Sequence, residues 1–296
     1  MASKEELLWW NLFADVMAEQ WLLTPKINQI IRSEYEEDYA RFLYTPGGRF
    51  LEIGCGVGWI GHKFAAQGMR VDGLDFSESQ LEIAYRMAKE RGLTDVAYFT
   101  RDLVNDDLSG RFEEYDAILV NAVLHHLSHQ EIQNLNSRLC KLLAPGGKIF
   151  LYEPLESGNP NLVKKIAILP IALLIRLMLL GFNLLGKHLG FFQPHFSDAI
   201  ARGYTGTSPD EKPISLFFLV KSLTDNGLTV VEERPNHCFS MAIAMSIMRF
   251  RVTLRDLLVP LVAVSYFLDK LAFKTIGWDN FGRNKSVLCT IKAIRP

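Results

Sequence analysis

Between Gly48 and Pro154 the chain alternates short apolar runs with amphipathic stretches, and this alternation limits the possible folds more than any other feature. RFLEIG, MRVDGLD, VAYFTRD, YDAILVNAV and GGKIFLYEP are short and rich in branched or aromatic residues, which suits strands buried on both faces. The stretches from His62 to Gln67, from Ser79 to Arg91 and from Gln130 to Leu143 read as helices, the second starting after Ser77. Helices between consecutive strands require crossover connections, hence a parallel sheet with a helical layer on each side. Far downstream, GLTVVEERP and SVLCTIKAI are two further strand-like runs that finish the sheet at one edge. The expectation is an α/β fold built on a doubly wound, mostly parallel, seven-stranded sheet.

The other segments attach to that core. Helical spacing from Leu7 to Ile31 predicts one or two amphipathic helices, so that 1–45 forms an N-terminal helical cap ahead of a core at 46–155. Two greasy stretches, Asn161 to Phe192 and Met241 to Phe273, read as helical insertions within one structural domain. The first falls in 156–222 with a polar loop from Thr205 to Pro213; the second falls in 223–296 among the final strands. Pro170 and Gly181 are expected to kink the first. A content of 49% hydrophobic and 22% charged residues excludes a disordered chain. A formal charge of -1, from 32 basic and 33 acidic residues, gives no drive toward nucleic acid. Cys55, Cys140, Cys238 and Cys289 are scattered without zinc spacing, which predicts reduced thiols, no metal site and a cytoplasmic protein. Glu5, Glu6, Asp15 and Glu19 interrupt the apolar residues near the N-terminus, so the uninterrupted core of a secretory signal is missing there.

Gly54, Gly56 and Gly58 follow directly on the strand FLEI, where they allow a tight turn and close approach of a ligand to backbone amides at the start of the next helix. Gly56, Gly58 and Gly61 also spell GxGxxG, with Asp75 about 20 residues on, the pattern of a dinucleotide site. An NAD(P)-dependent oxidoreductase therefore stays open on spacing. Glu52 counts against it, because a carboxylate inside the first strand would repel a pyrophosphate but would suit a cationic amine. Glu52, Asp75 and Asp102 all lie near the C-terminal ends of the first three strands, where an open parallel sheet binds its ligand.

The series LEIGCGVG, VDGLDFS, FTRDL, YDAILVNAVLHHL and LAPGGKIFLYEP resembles the class I S-adenosylmethionine-dependent methyltransferases in order, spacing and character. The resemblance covers about half the chain and implies a Rossmann-like fold with S-adenosylmethionine as cofactor. It further implies that Glu52, Gly54, Gly56 and Gly58 contact the methionine end, Asp75 holds the ribose hydroxyls, and Phe76 packs on the adenine. Asp102 and Leu103 would recognise the adenine amino edge, and Asn121 would sit beside the sulfonium.

Methyl transfer is a displacement at an already activated carbon, so the protein must mainly align the nucleophile and accept a proton. His125 and His126 follow the fourth strand at the expected mouth of the crevice; the resemblance favours His125 as the base, with a capping or packing role as the alternative for either histidine. Glu153, at the end of the fifth strand, is the second catalytic candidate and is expected to face the crevice. Trp9, Trp10 and Trp21 would roof the site or pack in the core.

The first insertion carries Lys164, Lys165, Arg176 and Lys187 and no acid, and Lys165, Arg176 and Lys187 recur by elevens along one stripe with Asn183. Arg176 breaks the apolar run near its centre, which argues against a membrane span. The second insertion has a basic cluster, Arg249, Arg251 and Arg255, beside a long apolar run. Two such insertions predict a lipophilic small-molecule or lipid substrate and peripheral membrane contact through 161–192 and 241–273. The reading is thus methyl transfer from S-adenosylmethionine to a hydrophobic acceptor. A non-catalytic membrane-docking or partner-binding protein on the same fold is the third alternative.

Overall fold

In the computed structural model, which describes residues 3–22, 24–102, 106, 114–156, 162–204, 208–276 and 286–296, the alternating pattern becomes one sheet. Helices α1 (Lys4–Leu12), α2 (Ala14–Leu22) and α3 (Pro25–Leu43) precede β1 (Arg49–Ile53). The core continues through α4 (Trp59–Ala66), β2 (Arg70–Asp75), α5 (Glu78–Glu90), β3 (Val96–Thr100) and β4 (Tyr115–Asn121). A 3-10 turn (Leu124–His126), α6 (His129–Leu142) and β5 (Leu143–Glu156) close it. Beyond lie α7 (Leu162–Leu189), α8 (Pro194–Ala201), β6 (Ile214–Ser215), α9 (Leu216–Asp225) and β7 (Thr229–His237). The last elements are α10 (Phe239–Ile247), α11 (Val252–Ile276) and β8 (Ser286–Ile294).

The strand order is β3-β2-β1-β4-β5-β8-β7, and the two-residue β6 pairs beside the end of β5. β8 runs antiparallel to both β5 and β7, while β1 to β5 are parallel, so the seven expected strands are present with one short addition. Alternation sorts the side chains by face. Phe50, Leu119 and Phe150 point to the layer of α3 and α4, where they meet Tyr39 and Phe64. Leu51, Ile53, Ile118, Val120 and Leu151 point to the layer that includes α6 and α9, through Leu135, Leu139, Leu219 and Leu223. This parity fixes two later facts: Glu52 shares the face of Phe50, and Glu153 shares that of Leu151.

Several expectations change. The N-terminal segment forms three helices, and α3 belongs to the sheet's own packing layer, with Tyr39 edge-on to Phe150, so it is no cap. α7 runs unbroken through Pro170 and Gly181. The basic cluster of the second insertion does not form a surface edge: Arg255 is buried and Arg249 is half-buried over the Phe196 ring, leaving Arg251 exposed. Cys55, Cys140, Cys238 and Cys289 are all free thiols.

Candidate functional site

The C-terminal ends of β1, β2, β4 and β5 converge, and the loops leaving them carry nearly every residue singled out above. After β1 the chain turns through Gly54, Gly56 and Gly58 at φ +67, +51 and +72, the left-handed region that only glycine enters without strain. At Gly54 space is as restrictive as φ, since a Cβ would collide with Val123 Cγ2 from the loop after β4. The glycine turn and the β4 loop are therefore packed face to face.

Asp75 ends β2 and ties two turns together. Its Oδ2 accepts from the Gly56 amide at 2.8 Å and its Oδ1 from the Ser77 amide at 2.9 Å. Burial pushes its pKa up, and the Ser77, Gly56 and Phe76 amides oppose that. A carboxylate has about four acceptor sites, so with these three amides engaged there is still room for a hydroxyl donor. Ser77 caps α5, its Oγ accepting from Gln80 N and donating to Asn11 Oδ1 at 2.8 Å. Asn11 lies at the end of α1, which in this way reaches across the β2–α5 turn.

Glu52 is enclosed from the helical side. It is 1% exposed on the α4 side, and its Oε2 accepts from the Gly61 amide at 2.8 Å. Burial raises its pKa to about 8, helped by Asp75 and opposed by the Gly61 bond, so it is mostly a neutral acid at pH 7. Through that bond Glu52 fastens the start of α4. The third glycine of GxGxxG is needed for the same contact, because a Cβ at Gly61 would lie 2.9 Å from Glu52 Oε2.

The face of Glu153 turns it toward the 3-10 turn instead of the open crevice. At 1% exposure, its Oε1 accepts from the Val123 and Leu124 amides at 2.8 and 2.9 Å, and its Oε2 meets His125 Nδ1 at 2.9 Å. Glu153 is thus a positioning residue. With Nδ1 engaged by Glu153, Nε2 is the ring nitrogen left for other work. Glu211 Oε1 stands 3.9 Å from that Nε2. The turn begins after Ala122, whose φ of +57 is strained for a residue with a Cβ.

His126 faces the other way. Its Nδ1 lies 3.0 Å from Glu6 Oε1 and 3.1 Å from Ser208 Oγ, and Trp10 packs edge-on against its ring. Glu6 is fully buried on α1; its Oε1 also accepts from Trp10 Nε1 at 2.7 Å and its Oε2 from the Asp210 amide at 3.1 Å. Burial raises the Glu6 pKa, but His126, the Asp210 amide and Trp10 outweigh it and bring the group to about 2. Asp210 in turn accepts from Ser3 N, and Lys212 N donates to His125 O. The stretch 208–213, expected as an exposed loop, is therefore a strap that pins α1 beside both histidines.

Phe76 and Asn121 are half-buried at the ends of β2 and β4, next to the glycine turn. Asp102 is half-buried after β3, its amide donating to Asp106 Oδ2 at 2.9 Å; Leu103 lies outside the described residues. Trp9 stacks on Tyr204, Trp10 reaches His126, and the Trp21 side chain is outside the described set. Sequence reading missed Glu6, Asn11 and Ser208. The one available signal was Glu6 four residues before Trp10, a spacing that aligns them on a helix. Among the described residues, no cluster of three or more His, Cys, Asp or Glu is arranged for a metal ion.

Comparison with known proteins bears on the fold that carries this site. Residues 50–147 match a family model described as a methyltransferase domain. A ubiquinone biosynthesis O-methyltransferase of Rhizobium etli is 32% identical over 155 residues, which is 48% of this chain and 60% of that protein. The chain thus spans less than two thirds of that relative's length. Among solved structures, the cyclopropane synthase MmaA2 from Mycobacterium tuberculosis superposes with a TM-score of 0.56 at 14% identity, over 89% of this chain and 84% of that one. A coclaurine N-methyltransferase bound to N-methylheliamine and SAH gives a TM-score of 0.54 at 15% identity, over 89% and 72% of the two chains. At these identities the solved structures establish a shared fold.

Proposed function

We propose that this chain, whose α/β core belongs to the class I S-adenosylmethionine-dependent methyltransferases, transfers a methyl group to a hydrophobic small molecule or lipid. The observation that carries the reading is the buried His125–Glu153 pair, held two residues beyond the Val123 that packs on the glycine turn. S-adenosylmethionine, when bound, supplies a methyl group on a positively charged sulfur. Asp75 fits its ribose through the acceptor capacity that its three amide partners leave, and Gly54, Gly56 and Gly58 line the approach. Phe76, Asp102 and Leu103 are the candidates for the adenine, and Asn121 for the neighbourhood of the sulfur. Glu52, neutral and engaged by Gly61, supports the loop from behind.

His125 Nε2 then takes the proton that the acceptor must lose, while Glu153 holds the ring and stabilises the imidazolium. A base of this kind favours an acceptor with a dissociable proton, such as a hydroxyl, and the name of the Rhizobium etli relative is in keeping with that. The greasy insertions support a lipophilic acceptor and a place of work at a membrane surface. Among the described residues, no helix is long and apolar enough to cross one.

Thermal unfolding with S-adenosylhomocysteine, with NAD as control, tests the cofactor half. A shift with the former alone is expected, and Asp75→Ala should abolish it. A shift with NAD alone would overturn the proposal. For the chemistry, His125→Gln should lower kcat by about a hundredfold or more while leaving the S-adenosylhomocysteine shift in place. Unchanged turnover in that variant would remove His125 from the mechanism.

A further inference from the structure

An outward apolar surface on α7 and α11 deepens the membrane-surface reading given above, on which this inference rests. On α7, Leu169, Leu173, Leu177, Leu180 and Leu184 recur at intervals of three and four, and all are at least half exposed, with Leu174 beside them at 67%. At about 100° per residue they span an arc of roughly 140° opposite the buried Ile175 and Phe182. On α11, Leu257, Leu261, Val264, Leu268 and Leu271 form a second outward stripe, with Phe267 66% exposed at its edge. Buried Val262 and Asp269 mark its inner face. Both helices pack against α10. Isolated exposed leucines are unremarkable, but two such stripes on helices sharing a neighbour are an interaction surface.

Charge selects the occupant. From 162 to 189 there are four Lys or Arg residues and no acid. Arg176 and Lys187 are exposed and fall along one border of the leucine arc, where long side chains can lay their stems on the apolar surface and extend their charges past it. On α11 the acids are already engaged: Asp256 pairs with Lys26 at 2.6 Å, and buried Asp269 accepts the amides of Cys238, Phe239 and Ser240. Lys270 and Lys274 border the outward stripe. A second copy meeting this surface through α7 would set cations against cations. A bilayer with anionic head groups offers hydrocarbon to the leucines and negative charge to the border.

We propose that the outward faces of α7 and α11 dock this chain on an anionic lipid bilayer. Flotation of the purified full chain with phosphatidylcholine vesicles, with and without phosphatidylglycerol, tests it. Binding is expected with phosphatidylglycerol, weaker without it, and reduced by salt. Leu177→Glu with Leu180→Glu should weaken binding to both kinds of vesicle, and Arg176→Glu with Lys187→Glu should weaken it at least about tenfold on the anionic vesicles. All four positions face outward, so the melting temperature should stay that of the parent. No vesicle binding, or binding that ignores both pairs of substitutions, overturns the proposal. A dimer in light scattering that the leucine substitutions split, without vesicle binding, also overturns it in favour of a second copy. Vesicle binding needs no turnover, so this result stands apart from the S-adenosylhomocysteine test.

Discussion

Replacing Glu52 by glutamine separates two roles for the acid in the first strand. In the native chain its pKa stands at about 8, against an ordinary value of 4.5, chiefly because burial penalises the charged form. The unfolded chain therefore binds fewer protons than the native chain between those two values, and native stability falls as pH rises through that window. At about 1.4 kcal/mol per pH unit, the loss between about pH 5 and about pH 7.5 comes to roughly 3 kcal/mol. Glu52→Gln keeps an oxygen for the Gly61 amide and cannot ionise, so it escapes this loss. Any fixed cost of fitting the amide is the same at both pH values and cancels in the comparison. Equilibrium urea unfolding followed by tryptophan fluorescence reads the difference directly. The stability of Glu52→Gln relative to the parent should rise by about 3 kcal/mol from the lower pH to the higher. A gap that does not move with pH would mean that Glu52 is ionised in the native state. If such a variant also lost S-adenosylhomocysteine binding, the carboxylate would regain the role expected from sequence, that of a partner for a cationic amine.

Three further substitutions probe the loops. Gly54→Ala meets both a left-handed φ and the Val123 side chain, so it should destabilise the chain by about 2–4 kcal/mol and abolish the thermal shift with S-adenosylhomocysteine. Glu6→Gln removes the charge that His126 holds, and hydrogen exchange should speed up selectively in residues 4–12. In the parent, the depressed Glu6 pKa makes this contribution complete above about pH 4.5 and progressively lost toward about pH 2, which exchange at graded pH will follow. Ala122→Gly relieves the strain at φ +57 and should raise the melting temperature in proportion to about 1 kcal/mol; a fall would mean that the alanine methyl packs usefully.

What was legible in the sequence was local. Strand runs such as AILV declare themselves because burial on both faces disfavours polar residues, and Ser77 and Ser128 mark helix starts through hydrogen bonds made within three residues. The glycine turn was readable for the same reason, since its φ values belong to single residues. Direction was harder. Glu52 and Glu153 were both expected to face the crevice, yet each points into a helical layer or turn according to its parity on the strand. Parity assigns the side chain to a face, but which partner waits there depends on Gly61 in one case and on the Val123 and Leu124 amides in the other. The strap on α1 was not readable at all: Ser3 meets Asp210 and Glu6 meets Asp210 across more than 200 residues, and no pattern within either segment encodes the contact.

The seating of α1 against that strap follows from cost. A fully buried carboxylate on α1 would be expensive without polar partners around it, so α1 can seat Glu6 only where His126, the Trp10 indole and the Asp210 amide are already in place. His126 is presented by the 3-10 turn, and that turn is held from beneath by Glu153 through two backbone amides. The same carboxylate engages Nδ1 of His125, the adjoining residue. Placement of His125 and anchoring of α1 therefore rest on one side chain. Loss of Glu153 would free His125 to turn and leave two buried amides without an acceptor, at about 1–3 kcal/mol each. It would also withdraw the support under the histidine that anchors α1. Glu153→Ala should consequently open residues 4–12 to hydrogen exchange, an effect that a defect confined to proton transfer cannot produce.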